Sequence, residues 1–311
     1  MSNQASRLRA LFARPGVIRL MGAHNALGAK MAERAGFDGV WSSSFELSAS
    51  YGVPDAGLVT MTEQLAAAQS MSCAVSIPVV ADCDTGYGDA NNVVYMVRRF
   101  ETAGIAAVCI EDKEFPKRNS FLPGAQELTA IPEFQEKIRA AKRTQRHPDF
   151  LVIARVEALI AGCGTAEALR RARAYAEAGA DAVLVHSKEA TLGELAEVAR
   201  LWDQRAPLVA VPTTYAGVTV AELEALGIKM VIYANQGLRS ALRAMEETYA
   251  EILRTGSTAS VEGRIWPMEA VFEVQGALEL RERGGPRELG RNGRDRKVPL
   301  GMSPGLLEPK A

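Results

Sequence analysis

Short apolar runs recur along the chain, each bounded by turn residues. They are GVIRLMG (16–22), DGVWSSS (38–44), IPVVADCD (77–84), AAVCIED (106–112), LVIARVE (151–157), DAVLVHS (181–187), PLVAVPT (207–213) and KMVIYAN (229–235). They are rich in Val and Ile and mostly continuous rather than alternating, which suits strands buried on both faces of a parallel sheet. Between them, NALGAKMAERAG, MTEQLAAAQSMSCA, ANNVVYMVRRFETAG, AEALRRARAYAEAGA, LGELAEVARLWDQ and TVAELEALG carry helix formers at a helical period. Several end on Ala-Gly or Leu-Gly just before the next run, as in AGFDGVW, AGIAAVCI, AGADAVLV and LGIKMVI. Gly just past a helix end takes the left-handed conformation that turns the chain back toward the sheet. Eight such alternations predict an α/β fold, a (β/α)8 TIM barrel. The rival, a doubly wound sheet, would more typically carry a Gly-rich phosphate turn after its first strand, and MGAHNALGAK matches that pattern poorly.

Two segments lie outside the repeat. IWPMEAVFEVQGALELRERGG (265–285) predicts a further amphipathic helix with Pro267 in its first turn, suited to packing on a neighbouring subunit. Residues 286–311, rich in Gly, Pro and Arg, read as a flexible C-terminal tail. The expected organisation is one barrel domain over 1–285, including helix 265–285, followed by that tail.

Composition narrows the partners. The chain has 311 residues, 48% hydrophobic and 23% charged, with net charge -1 and a pI near 6.4. That balance gives no electrostatic case for nucleic acid or an anionic membrane. Cys73, Cys83, Cys109 and Cys163 show no CxxC or zinc spacing and read as reduced, buried thiols. The N-terminus has no long apolar segment, and no apolar stretch is long enough to span a bilayer. The expected setting is the cytoplasm, with a small-molecule substrate.

Candidate chemistry collects where a barrel keeps its active site, at the C-terminal ends of the strands. His24 and Asn25 follow the first run, and Ser42, Ser43 and Ser44 end the second. Asp82 and Asp84 end the third; Glu111, Asp112 and Lys113 end the fourth; Arg155 and Glu157 end the fifth. His186 and Ser187, Thr213 and Asn235 end the last three. Asp82 and Asp84, two apart, would share one side of a strand. Glu111 could reach the same space from the adjacent strand, and Asp55 from its loop. Carboxylates gathered in one mouth repel unless a cation sits among them. All-oxygen donors favour Mg2+, with Mn2+ as a substitute, over zinc. The plainer alternative is a salt-bridge network with Lys113 and Arg155. Arg155 and His186 would hold a small anion, and the serine run offers hydroxyls and backbone N–H groups for a carboxylate.

Seven stretches carry a resemblance: GAHNALGAK, AGFDGVWSSSFELSASYGVPD, DCDTGYG, EDKEFPKRNS, ARVEALIAG, AGADAVLVHSK and VPTTY. From about residue 7 to about 283 the chain resembles the phosphoenolpyruvate mutase/isocitrate lyase superfamily, on its phosphoenolpyruvate mutase and phosphonopyruvate hydrolase branch. The resemblance implies a barrel whose last helix is exchanged between subunits of a homodimer or homotetramer. It implies Mg2+ at Asp82, with Asp55, Asp84 and Glu111 acting largely through water. It places the pyruvoyl carboxylate at Trp41, Ser43, Ser44 and Phe45, gives Arg155 the grip on the substrate and sets His186 against the phosphonyl group. Lys117, Asn119 and Ser120 match a gating loop.

That loop separates the branches. Isocitrate-lyase-type members carry a catalytic Cys in a K-x-C-G-H run, whereas residues 113–131 hold neither Cys nor His. Mutases carry E-D-K-x(5)-N-S, which EDKEFPKRNS satisfies at every fixed position. Hydrolases tend to have Thr in place of Asn119, yet FELSASYGVPDA is closer to the hydrolase side. The loop gets the greater weight because it touches the transferred group. The implied activity is interconversion of phosphoenolpyruvate and phosphonopyruvate, an isomerase of phosphonate biosynthesis. The alternatives are phosphonopyruvate hydrolysis, then lyase or decarboxylase action on another 2-oxo acid, then a binding barrel without activity. Ser42 and Ser44 stand where many members have Gly, and Gln236 where relatives often have His.

Overall fold

The computed structural model describes residues 4–277. Among them, eight parallel strands close a barrel in chain order: β1 (Ile18–Ala23), β2 (Gly39–Ser42), β3 (Val79–Asp82), β4 (Ala107–Glu111), β5 (Leu151–Val156), β6 (Ala182–Val185), β7 (Leu208–Ala210) and β8 (Ile228–Tyr233). The helices are α1 (Gln4–Ala13), α2 (Ala26–Arg34), α3 (Ser44–Ser50), α4 (Met61–Ala74), α5 (Ala90–Thr102), α6 (Ile131–Thr144), α7 (Gly164–Glu177), α8 (Gly193–Leu201), α9 (Val220–Ala225), α10 (Gln236–Thr255) and α11 (Met268–Gln275). The barrel expected from the apolar runs is the observed fold. The sequence pattern does not single out α1, α3, α6 or α10.

The strands are shorter than the runs that predict them. In PLVAVPT only Leu208–Ala210 pairs as strand; Pro212 has no N–H to donate to a ladder.

Period-two alternation sorts the side chains into two cores. Leu20, Val80, Ala107, Cys109, Leu151, Ile153 and Leu184 fill the barrel interior, and Leu8 of α1 joins them. Val79, Ala81, Val108, Ile110, Val152, Ala154 and Val183 face the helix layer with Phe100, Phe134 and Tyr175. Cys83 and Cys109, on or beside strands, are buried as expected, whereas Cys73 and Cys163, at the end of α4 and just before α7, are exposed. α1 is held at the strands' N-terminal ends, where Gln4 bonds the Ser72 carbonyl (3.0 Å) and Arg9 pairs with Asp181 (2.9 Å). It therefore covers the bottom of the barrel and leaves the other end for chemistry. At that open end Gly22 is needed: a Cβ there would lie 2.4 Å from the Ala234 carbonyl oxygen, so only glycine lets β1 run this close to the end of β8.

The chain divides into two compact units between Ile265 and Trp266. In the second, α11 begins immediately after Pro267 and ends at Gly276, which takes a left-handed φ of 72°. The helix expected over 265–285 is thus interrupted by a glycine stop. Residues 278–285 of that expectation, and the tail 286–311, lie outside the described residues.

Candidate active site

Alternation aims the chemistry. Continuing the interior rows Val80, Ala107–Cys109 and Leu151–Ile153 by one inward step gives Asp82, Glu111 and Arg155. Strand register sets them side by side: Asp82 pairs with Cys109 on β4, and Glu111 pairs with Arg155 on β5. They line a cavity of about 250 Å³ with Trp41, Ser43, Phe45, Asp55, Lys113, Lys117, Asn119, Ser120, Phe121, His186, Val211, Thr213, Ala234, Asn235 and Arg239. That is below the ~300–1,000 Å³ of pockets for drug-sized ligands, and suits a small metabolite.

The roof is the segment between β4 and α6. Its neck is zipped: Lys113 and Leu128 form an antiparallel bridge, Glu114 N–H donates to the Glu127 carbonyl (3.1 Å), and Thr129 N–H donates to the Asp112 carbonyl (2.9 Å). Beyond the neck the loop folds down onto the acids. Lys117 Nζ lies 2.9 Å from Asp55 Oδ1, 2.5 Å from Asp84 Oδ1 and 2.9 Å from Ser44 Oγ. Asn119 Nδ2 donates to Asp55 Oδ2 (2.8 Å), Ser120 Oγ donates to Glu157 Oε2 (2.6 Å), and Phe121 sets its edge against His186 at 5.7 Å. Lys113 Nζ braces the loop from inside through the Arg118 carbonyl (2.6 Å) and Ser120 Oγ (3.0 Å).

Glu157 is fully buried and organises the far wall. It accepts from Arg155 Nε at 2.5 Å and lies 2.8 Å from His186 Nδ1 and 3.4 Å from Lys113 Nζ. Burial alone would raise its carboxyl, but Arg155, His186 and Lys113 hold it well below the usual range. His186 Nδ1 also lies 2.8 Å from Arg155 Nη2, and it can serve only one of these partners. The ionised carboxylate is the stronger one, so Nδ1–H donates to Glu157. Burial and the neighbouring Arg155 keep the ring neutral by lowering its pKa against the pull of Glu157. Nε2 then keeps its lone pair.

The sequence-predicted residues separate into three groups. Asp55, Asp82, Glu111, Lys117, Asn119, Ser120, Arg155, His186, Trp41, Ser43 and Phe45 line the cavity. Asp84 and Ser44 stand one layer behind. β3 ends at Asp82, and Asp84 takes a φ of 51°, so its side chain meets Lys117 and the amide of Gln64 (3.0 Å) instead of continuing the strand face. Ser44 Oγ donates to Asp82 Oδ2 (2.8 Å), and Ser43 Oγ caps α3 by accepting from Glu46 N–H (3.2 Å). Both hydroxyls are therefore engaged locally.

Asp112, Ser187 and His24 face away from the cavity. Asp112 points outward to α7, where it accepts from Tyr175 Oη (2.6 Å), Arg171 Nη1 (2.9 Å) and Glu157 N–H (2.8 Å). Burial drives its carboxyl up to about 6 against those three donors. Ser187 bonds Glu194, and His24 Nδ1 lies 3.1 Å from Glu46. Reading only strand ends misses Arg239 and Phe121, which come from the first turn of α10 and from the loop.

The donor set fits a hard dication. Burial pushes Asp82 up to about 6 despite Lys117, with Asp84 and Glu111 adding to the rise. A carboxylate so placed gains from more positive charge. Glu111 Oε1 and Asp84 Oδ1 are buried and meet only lysine ammonium groups, without hydrogen-bond geometry. As the side chains stand, no group of three or more His, Cys, Asp or Glu among the described residues has metal-holding geometry; the Lys117 ammonium lies among the acids. The four carboxylates raise Lys117 well above its ordinary value, against the effect of burial. The salt-bridge alternative is thus present too, in the Lys113–Glu111 and Arg155–Glu111 pairs, both at 3.3 Å.

Comparison with known proteins places this geometry. The family profile described as phosphoenolpyruvate phosphomutase matches residues 8–253. A phosphonopyruvate hydrolase from Variovorax sp. (strain Pal2) is 47% identical over 281 residues, 90% of this chain and 96% of the relative. The crystal structure of a phosphoenolpyruvate phosphomutase from Streptomyces platensis subsp. rosaceus superposes with a TM-score of 0.89 at 58% identity, covering 90% of this chain and 97% of that one. A phosphonopyruvate hydrolase in complex with oxalate and Mg2+ superposes with a TM-score of 0.86 at 45% identity, covering 90% and 98%.

Proposed function

The chain belongs to the phosphoenolpyruvate phosphomutase family, and on that premise we propose that it is a mutase interconverting phosphoenolpyruvate and phosphonopyruvate. The observation that carries this reading is the roof. Asn119 and Lys117 are tied to Asp55, Ser120 is tied to Glu157, and Phe121 lies against His186. A phosphoryl group in transit hydrolyses if water reaches it, so transfer within one molecule needs a sealed site more than it needs covalent help.

In the forward direction the P–O bond of the enol phosphate breaks, and a P–C bond forms to C3 of the pyruvate enolate. Asp82 would hold Mg2+ or Mn2+, with Asp55, Asp84 and Glu111 behind it through water. Bound there, the cation supplies positive charge to the substrate's oxygens. Arg155 grips the pyruvyl half, aimed by Glu157. The α3 turn with Trp41, Ser43, Ser44 and Phe45 receives the carboxylate. Asn119 and Ser120 would hold the phosphoryl group, with His186 standing against it, while the enolate presents C3. Lys117 supplies a further ammonium from the roof.

Phosphonopyruvate hydrolysis is the second reading. It is favoured by the 47% identity to the Variovorax hydrolase and by the run FELSASYGVPDA. It differs in one respect: a water reaches the phosphoryl group. Phosphorus NMR of enzyme, Mg2+ and phosphonopyruvate separates the two. A phosphoenolpyruvate signal is expected; prompt free phosphate with no such signal would sink the mutase.

For assembly, α10 leaves Leu242, Met245, Tyr249 and Leu253 exposed at helical spacing. We infer a homodimer or homotetramer that covers this stripe and exchanges the segment containing α11. No helix among the described residues is long and apolar enough to cross a membrane, and cytoplasmic placement belongs to this proposal.

A further inference from the structure

Most cations in the mouth are already committed to carboxylates. Lys113 faces Glu111 and Glu157, Lys117 faces Asp55 and Asp84, and Arg155 faces Glu111 and Glu157. Arg239 also lines the cavity but has no carboxylate partner among the described residues; its Nη1 reaches only Asn235 Oδ1, at 3.4 Å. Asn235 precedes α10 at the position where Asn ordinarily turns its oxygen onto an N–H of the first helical turn. Here no such cap forms, and the oxygen faces Arg239 instead. In the closed ring, β8 stands four strands from β4. Arg239, one turn beyond β8, therefore faces the root of the roof from across the mouth. Its side chain is exposed, so an incoming ligand reaches it without any loop moving.

We propose that Arg239 is a specificity-determining residue that captures the substrate anion at the rim through its uncommitted guanidinium. The proposal rests on the reading that the substrate is a small anion bearing a carboxylate and a phosphoryl or phosphonyl group. A guanidinium without an acid partner offers two parallel charge-assisted bonds to either group. Lys113, Lys117 and Arg155 must instead be shared with buried carboxylates. In a cleft, such a charge also raises the local concentration of anions and the rate of their arrival.

The test uses 3-phosphonopropionate, which carries both acid groups and has no keto group to react. Its binding is measured by calorimetry on full-length wild type, Arg239→Gln and Arg239→Lys, with Mg2+, at low and high salt. Arg239→Gln is expected to bind about tenfold more weakly at low salt, with the gap narrowing at high salt as screening removes the charge. Arg239→Lys keeps most of the affinity. In turnover the loss falls on KM rather than kcat, by roughly 10- to 150-fold for one charge-assisted contact. Equal affinity of wild type and Arg239→Gln at low salt overturns the proposal, as does wild type that fails to bind the probe. If wild type shows the Arg239 effect but interconverts neither phosphoenolpyruvate nor phosphonopyruvate, the mutase reading fails while the capture role stands. Turnover with no Arg239 effect removes the capture role and leaves the mutase standing.

Discussion

Asp112→Ala tests how the outer side of β4 supports the inner side. Asp112 is fully buried and is the acceptor for Tyr175, Arg171 and the backbone of Glu157. Its removal leaves Arg171, whose side chain is 9% exposed, with Glu167 (2.8 Å), the Thr129 carbonyl (2.9 Å) and Tyr175 Oη (2.9 Å) as partners. Breaking one half of a buried ion pair costs about 3–5 kcal/mol when the other charge is left unpaired; Arg171 keeps Glu167, so the cost falls at the low end, about 3 kcal/mol. The unfolding entropy is ~2.1 cal/mol/K per residue, which over the unit ending at Ile265 gives about 0.55 kcal/mol/K. The expected loss in Tm is then ~5 °C by scanning calorimetry. Replacing both members, Asp112→Ala with Arg171→Met, removes the buried cation that has lost one of its two carboxylates and should recover at least half of the loss. The reasoning is refuted if the single variant loses less than about 2 °C, or if the double variant is no more stable than the single one.

Three further outcomes follow from the site. The Glu157 pKa is depressed in the folded state, so its contribution is present above the unfolded value near 4.5 and is lost as pH falls through the folded value; the stability gap between wild type and Glu157→Gln should be flat from about pH 5 to 8 and shrink on acidification, as read by urea melts. Asp82→Ala should abolish both turnover and the rise in Tm that Mg2+ gives wild type; a retained Mg2+ shift would remove Asp82 from the metal site. Asn119→Ala should lower turnover at least ~100-fold, as expected for loss of a positioned polar contact to the transferred group, with Tm and Mg2+ response intact; near-normal turnover would refute its role.

The fold was legible because Val- and Ile-rich runs and Gly-terminated helices report burial on both faces directly. The inward step to Asp82, Glu111 and Arg155 was legible for the same reason, since alternation carries the interior row into the mouth. Asp84 was not, because the two-residue rule holds only while the strand continues, and β3 ends at Asp82. The same alternation that turns Glu111 inward turns Asp112 out to α7, so a charged cluster at one strand end divides between the cavity wall and the scaffold. Arg239 was missed because it belongs to the turn after a strand end, four residues past Asn235, where the pattern signals helix. Within the described part of 265–285 the helix is interrupted at Gly276, a residue that tolerates a helical pattern yet permits the left-handed conformation.

The zipped neck at Lys113 and Leu128 has a wider meaning. Its pairing joins Asp112, Lys113 and Glu114 to residues 127–129, so the span 115–126 begins and ends on one fixed frame. A loop mounted in that way behaves as an interchangeable cassette. Its length and sequence can drift, or be grafted from a relative, while the strands beneath keep their register. A single barrel could thereby acquire a different reaction outcome by exchanging a dozen residues above an unaltered floor, and chimeras at this neck offer a direct route to converting one activity into another.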